Sequence, residues 1–409
     1  MQYKKISLKI LLVSCTFASS LVTVSPVYGA SFGGIFVADQ TLDGIYFTQD
    51  FNGDGDANDT GEVSVYFDDT NASGFANPTG NVFTILQSNS GFLYYGDGNT
   101  DSVYRLLDSN NNGNALDAGE ASVWFSATDN ASGLPLLTPN GLGEDNSGAI
   151  YIVAADTVGT PNGDFVYRTI DLNNDGDAND MGEASIWLDL KALNPASSAF
   201  EIAFIDDVAF ISDTAGGSPR VYRAEDINND NVIDPLTEVK IFIDDTNPFG
   251  IGTFYFGFDS DSSSLYGLDL FSDSIFRLTD ENDSGSIDLA SEALKVWEPS
   301  NIPTGFDFGA GAFSVATGPT GELSITSNGS QPNEDNVFRL IDMNGDGDYL
   351  DADETIIYSS RELTGFFPVR PRVVEYAKSV PEPTTLLGVL GIGGSLVGSA
   401  IHGLSKKVN

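Results

Sequence analysis

Residues 31–380 contain no cysteine and no histidine; the only examples are Cys15 and His402, near the two ends of the chain. No disulfide can staple this stretch. Ser-His-Asp triads, Cys-His nucleophiles, histidine general bases and histidine-ligated zinc or copper are excluded there as well. Bases are scarce. The same stretch keeps 58 of the 59 acids but 13 of the 18 bases, a net charge of −45. Such a surface repels nucleic acid and anionic lipid and attracts divalent cations. Without cations its self-repulsion should destabilise the compact state. No convincing run of 3.6-residue periodicity occurs, and no Walker-type or dinucleotide-binding loop follows a strand–helix pattern. Aromatics, at 11% of the chain, argue against disorder, and this length can bury a large core without covalent help.

The ends differ from the middle. Lys4, Lys5 and Lys9 precede an apolar stretch from Ile10 to Val24 and small residues at Gly29-Ala30, which reads as a signal peptide over 1–30. Only five residues separate Lys9 from Cys15, too short an apolar core for a lipoprotein signal. At the other end, Val380-Pro381-Glu382-Pro383 is followed by an apolar, Gly-rich run from Thr384 to Leu404 and then Lys406-Lys407. That run is about long enough for a membrane helix with its cationic end at the cytoplasmic face. The segment 380–409 resembles the PEP-CTERM sorting tail of exopolysaccharide-producing Gram-negative bacteria and cyanobacteria. The resemblance implies handling by a membrane-embedded sorting protease, transient anchoring, and an outer-surface or matrix location. A plain C-terminal anchor is the alternative.

Between the ends, over 31–379, one plan repeats six times: an apolar-aromatic strand, an acidic loop, a Glu, and a second aromatic strand. Entering strands include Gly44-Ile45-Tyr46-Phe47, Val103-Tyr104-Arg105 and Val337-Phe338-Arg339. Loops begin at Asp50, Asp108, Asp171, Asp226, Asp280 and Asp342, spaced by 58, 63, 55, 54 and 62 residues. One or two further strand-like runs precede each entering strand. About four strands in 55–60 residues is one blade of a β-propeller. The spacing therefore predicts an all-β, six-bladed propeller. Gly34–Ala38 lacks a preceding strand and Val373–Tyr376 is a surplus one, so the C-terminal strand should complete the N-terminal blade and close the ring. An open β-solenoid is the alternative.

The loops carry oxygen at alternate positions. In the first these are Asp50, Asn52, Asp54 and Asp56, with Gly55 at position 6; the third has Asp171, Asn173, Asp175 and Asp177, and the sixth Asp342, Asn344, Asp346 and Asp348. Alternation turns successive carboxylates to one centre, where a hard cation with six to eight oxygen ligands fits, so the expected cofactor is several Ca²⁺ ions. The fourth loop keeps Asp226, Asn228, Asp230 and Asp234 but has Asn231 for Gly. The second keeps Asp108 and Asn110 before Asn112 and Asn114, and the fifth keeps Asp280 and Asn282 before Ser284 and Ser286. Loops 1, 3 and 6 should bind best, loop 4 less well, and loops 2 and 5 weakly or not at all. Each loop has a Glu at position 13: Glu62, Glu120, Glu183, Glu238, Glu292 and Glu354. It reads as a bidentate ligand or as the start of the exit strand. An EF-hand would have Glu at 12 and flanking helices, so that domain is excluded. The loops are more similar to the calcium loops in blade hairpins of integrin-type propellers, though longer. Arg105, Arg168, Arg223, Arg277 and Arg339 recur at the strand before loops 2 to 6, as partners for neighbouring acids or as an anion site.

Two functions stay open. One is an exported, non-catalytic calcium-binding protein of the cell surface or matrix, a binding or structural module whose partner is exopolysaccharide or another surface protein. The alternative is a calcium-dependent hydrolase or lactonase with its metal at the ring centre. Glu144, Asp145, Glu201 and Asp259 lie near the expected innermost strands and would be its candidates.

Overall fold

The computed structural model describes residues 33–75, 82–155, 164–215, 217–309 and 311–378. The signal segment 1–30 and the tail 380–409 lie outside them. Among the described residues no helix is long and apolar enough to cross a membrane.

Six antiparallel sheets of four strands are arranged in a ring, a six-bladed β-propeller. Within each blade the strands run outward in chain order, as short hairpins of β-branched and aromatic residues favour. Blade 1 is the exception. Its innermost strand is Pro371–Tyr376, from the far end of the chain, paired antiparallel with Ile35–Asp39 so that Val374 faces Val37. The other innermost strands are Val82–Gln87, Pro139–Glu144, Ala199–Ile205, Tyr255–Ser260 and Gly311–Thr317. Each packs against the next, and Pro371–Tyr376 touches both Val82–Gln87 and Gly311–Thr317, so no blade edge is left open around the axis. The closed ring, with its last strand completing the first blade, is the architecture the repeat spacing predicts.

The core lies between blade faces. One cluster joins Phe36 and Ile45 of blade 1 to Leu93, Tyr95 and Leu106 of blade 2; another joins Val221 and Phe242 of blade 4 to Leu265 and Leu278 of blade 5. Trp124 and Trp297, on the outermost strands of blades 2 and 5, each donate the indole N–H to a threonine of the following blade, at 2.9 and 3.0 Å. All six outer hairpins carry a register shift in their ladder, as at Ile45/Tyr46 and Val337/Phe338. Such bulges bend and twist the outer strand. The acidic loop caps this hairpin in every blade.

Candidate metal-binding loops and axial cavity

The six loops fold alike because their backbones leave few choices. Position 4 (Gly53, Asn111, Asn174, Asn229, Asp283, Gly345) and position 6 (Gly55, Gly113, Gly176, Asn231, Gly285, Gly347) all have positive φ. Only Gly, Asn and Asp adopt that region readily. Asn231 therefore replaces Gly without loss of shape, at φ 63° against 104° for Gly176.

The position-1 carboxylate organises the turn. In loops 1, 3 and 6 one oxygen of Asp50, Asp171 or Asp342 accepts the position-4 N–H at 2.6 Å, and the other accepts the position-6 N–H at 2.8–2.9 Å. The amides of Asn52, Asn173 and Asn344 then reach the acids at positions 5 and 10, bringing them to one side. In loop 3 oxygens of Asp175, Asp177 and Glu183 lie within 4.8 Å of one another. This all-oxygen, carboxylate-rich set fits Ca²⁺ rather than a soft metal. Loops 2 and 5 keep the turn with a shifted first bond: Asp108 and Asp280 accept the position-6 N–H as before, but take the N–H of position 5 in place of position 4. At positions 5 and 7 they offer amides or hydroxyls instead of carboxylates. In loop 4, Asp226, Asn228 and Asp230 hold the turn, but position 7 is the exposed Val232 and Asp234 falls at position 9.

The recurring Glu has a structural task that the sequence reading missed. Its side chain is 1–6% exposed in all six blades. One carboxylate oxygen accepts N–H groups at the loop's start and the other accepts one near its end. Glu183 takes Leu172 and Asn173 on one oxygen and Asp180 on the other, at 2.9–3.2 Å; Glu62 and Glu354 bridge their loops in the same way. Glu120, Glu238 and Glu292 repeat the clasp. Hydrogen bonds to a charged acceptor are worth about 1.5–3 kcal/mol each. Glu183→Ala is therefore expected to cost about 3 kcal/mol or more in urea unfolding even with EDTA present. Asp177→Asn should cost little in EDTA and show its deficit only when calcium is added.

A second feature was also missed. The position-8 residue is apolar in every loop (Ala57, Ala115, Ala178, Ile233, Ile287, Tyr349), buried, and donates its N–H to the outermost strand of the preceding blade. The acceptors are the carbonyls of Tyr358, Tyr66, Trp124, Trp187, Phe242 and Val296, at 2.7–2.8 Å. Each loop is thus a joint between two blades. The repeating arginines are used unevenly. Arg223 pairs with Glu225 at 2.8 Å and Arg339 with Glu322 at 3.8 Å. Arg277 donates to the loop-6 carbonyl of Gly347, and Arg105 stacks on Phe92 beside Gly176 of loop 3.

At the ring axis a cavity of about 40 Å³ is lined from innermost strands, including Thr84, Leu142, Glu201, Asp259, Ser314 and Glu375. Glu201 and Asp259 do meet there. Asp259 is held by the N–H and hydroxyl of Thr317 at 2.7 and 2.8 Å. Glu375, not among the candidates read from sequence, joins them from the closing strand. Glu144 lies at the end of its strand and accepts the Asn89 N–H, while Asp145 is spent on a blade turn, accepting from Ser147, Ala149 and the Tyr151 hydroxyl. The axial carboxylates are partly exposed to the cavity, yet protein surrounds them densely enough that desolvation dominates. Burial raises Glu201 well above the usual range, helped by Asp259 and Glu375, and raises Asp259. Burial pushes Glu375 up to about 8, with Lys378 opposing and Asp259 and Glu144 adding to the rise. The folded Glu375 keeps its proton to about pH 8 whereas the unfolded chain releases it near 4.5. The folded state binds the extra proton across that window, so this group lowers stability as pH rises through it. Glu375→Gln should melt with wild type near pH 4 and above it at pH 8.

No family model matches the chain, and no curated protein matches its sequence. Solved structures do. A chain of the nidogen–laminin complex is similar at 12% identity and TM-score 0.52, over 85% of this chain and 99% of that one. Virginiamycin B lyase from Staphylococcus aureus, crystallised with quinupristin as an inactive variant, matches at 15% identity and TM-score 0.42, over 78% and 85%. Regucalcin from Agrobacterium tumefaciens, described as a calcium-binding protein, matches at 11% identity and TM-score 0.41, over 66% and 72%. At these identities the likeness is one of fold alone.

Proposed function

We propose that the chain is an exported, non-catalytic calcium-binding propeller of the cell surface or extracellular matrix, a binding or structural module that associates with exopolysaccharide. The observation that carries this reading is the coincidence of two features in the same loops: convergent carboxylates and a backbone bond to the neighbouring blade. An ion bound there stiffens a joint between blades and offsets part of the −45 charge, coupling folding to external calcium. The basic-apolar N-terminus and the Val380-Pro381-Glu382-Pro383 tail support export and processing by a membrane-embedded sorting protease.

Titration of the purified protein with Ca²⁺ in a calorimeter is expected to show at least three sites. Asp175→Asn with Asp177→Asn should remove one of them. Absence of binding heat in the wild type would overturn the proposal.

A further inference from the structure

The residue one step before the axial cavity on several innermost strands is aromatic: Phe83, Phe200 and, on the sixth blade, Phe313. Phe256 stands beside them, its ring 4.2 Å from that of Phe200, and Phe200 is 6.5 Å from Phe83. All four are half-buried. On the closing strand the equivalent place is taken by Arg372, whose guanidinium lies 3.8 Å from the Phe83 ring centre and 5.9 Å from that of Phe313. The collar is therefore an arc of phenyl faces with one cation in it.

That cation is out of place by every local measure. The chain holds more than three acids for each base, yet among the described residues no carboxylate and no hydrogen-bond acceptor meets the Arg372 guanidinium. Burial alone shifts it, down to about 10, so it stays charged at neutral pH. Stacking on a ring offsets part of the desolvation cost, and the N–H donors of the guanidinium meet no protein acceptor among the described residues, which leaves them to solvent or a ligand. A planar carboxylate satisfies such a fork bidentately. The phenyl faces around it offer no hydrogen bonds and suit the C–H face of a sugar ring. Burial, with Asp259 and Glu375 nearby, raises Glu201 beside Phe200 well above the usual carboxylate range, which weakens its repulsion of an anion there.

We infer that this axial mouth binds a carboxylated sugar residue, a uronate, with the carboxylate on Arg372 and the ring face on Phe83 and Phe200. The inference rests on the polysaccharide part of the proposed function and is independent of its calcium part. The test uses the full-length chain in detergent with calcium present, titrated with cellobiouronate, with cellobiose and with acetate. Calorimetry and the Arg372 Nε–H resonance are the readouts. Cellobiouronate is expected to bind at least tenfold more tightly than either control and to move that resonance. Arg372→Met, which keeps the stacked volume, should lose at least tenfold, and Arg372→Lys, lacking the planar fork, should fall between. No binding, equal binding of cellobiose, acetate binding as well as the disaccharide, or full binding by Arg372→Met would each overturn the inference. Calcium heats measured on the same Arg372→Met sample keep the two readings apart, since that variant leaves the loops intact.

Discussion

Removing calcium with EDTA at low ionic strength is expected to lower the melting temperature by about 10 °C. A site held at 100 times its dissociation constant contributes about 2.7 kcal/mol to the folded state. Loops 1, 3 and 6, with carboxylates at positions 5 and 7, together contribute roughly 8 kcal/mol on that basis. In a domain this large each kcal/mol moves the midpoint by about 1–2 °C. Part of the loss is self-repulsion among 58 acids, so added sodium chloride should recover some of the melting temperature in EDTA. Differential scanning calorimetry with and without chelator decides it: superimposable melting curves mean the loops are ordinary polar hairpins.

Ending the chain after Arg370 should abolish the folded ring. The lost strand carries Val373, Val374 and Tyr376, all buried, each worth about 1.5–3 kcal/mol by its apolar burial. Tyr376 also accepts a hydrogen bond from Ser324 of blade 6 at 2.7 Å. The truncation exposes the ladder edge of Ile35–Asp39 and unseats the two neighbouring innermost strands. The three side chains together are worth roughly 5–9 kcal/mol, comparable with a total stability of about 5–15 kcal/mol, and the severed ladder and unseated neighbours add to the loss. A chain ending after Lys378 keeps the strand and is the control. Size-exclusion chromatography and circular dichroism should show aggregate or unfolded chain for the first and a cooperatively melting monomer for the second. A monomeric, cooperatively melting 1–370 chain would mean that closure contributes little.

The repeat made the fold legible because each blade rewrites the same strand–loop–strand code, and the surplus run at Val373–Tyr376 matched the deficit before Gly34. The loops were legible for the same reason: Asp and Asn at alternate positions are visible in one dimension. The role of Glu183 and its equivalents was not, since a ligand and a backbone clasp both demand a carboxylate at fixed offset. The invariably apolar position 8 was a signal that could have been read, as an apolar residue inside an acidic loop must be buried somewhere. The surplus run placed Glu375 on the closing strand in advance, but not beside Glu201 and Asp259, and Arg372 fell just outside the run recognised as a strand. Which side chains meet at the axis depends on the register between blades, which no local pattern encodes.

The six joints are not equal, and their order round the circle has a mechanical consequence. Loop 2 fastens blade 2 to blade 1 and loop 5 fastens blade 5 to blade 4. These two alone lack carboxylates at both positions 5 and 7, and they sit diametrically opposite. The circle is thus divided into two three-blade shells, 2-3-4 and 5-6-1, each tightened internally by acid-rich clips. While calcium is bound, tension should part the molecule like a clamshell along that diameter, with the axial mouth on the line of parting, and stripping the calcium should erase that preference.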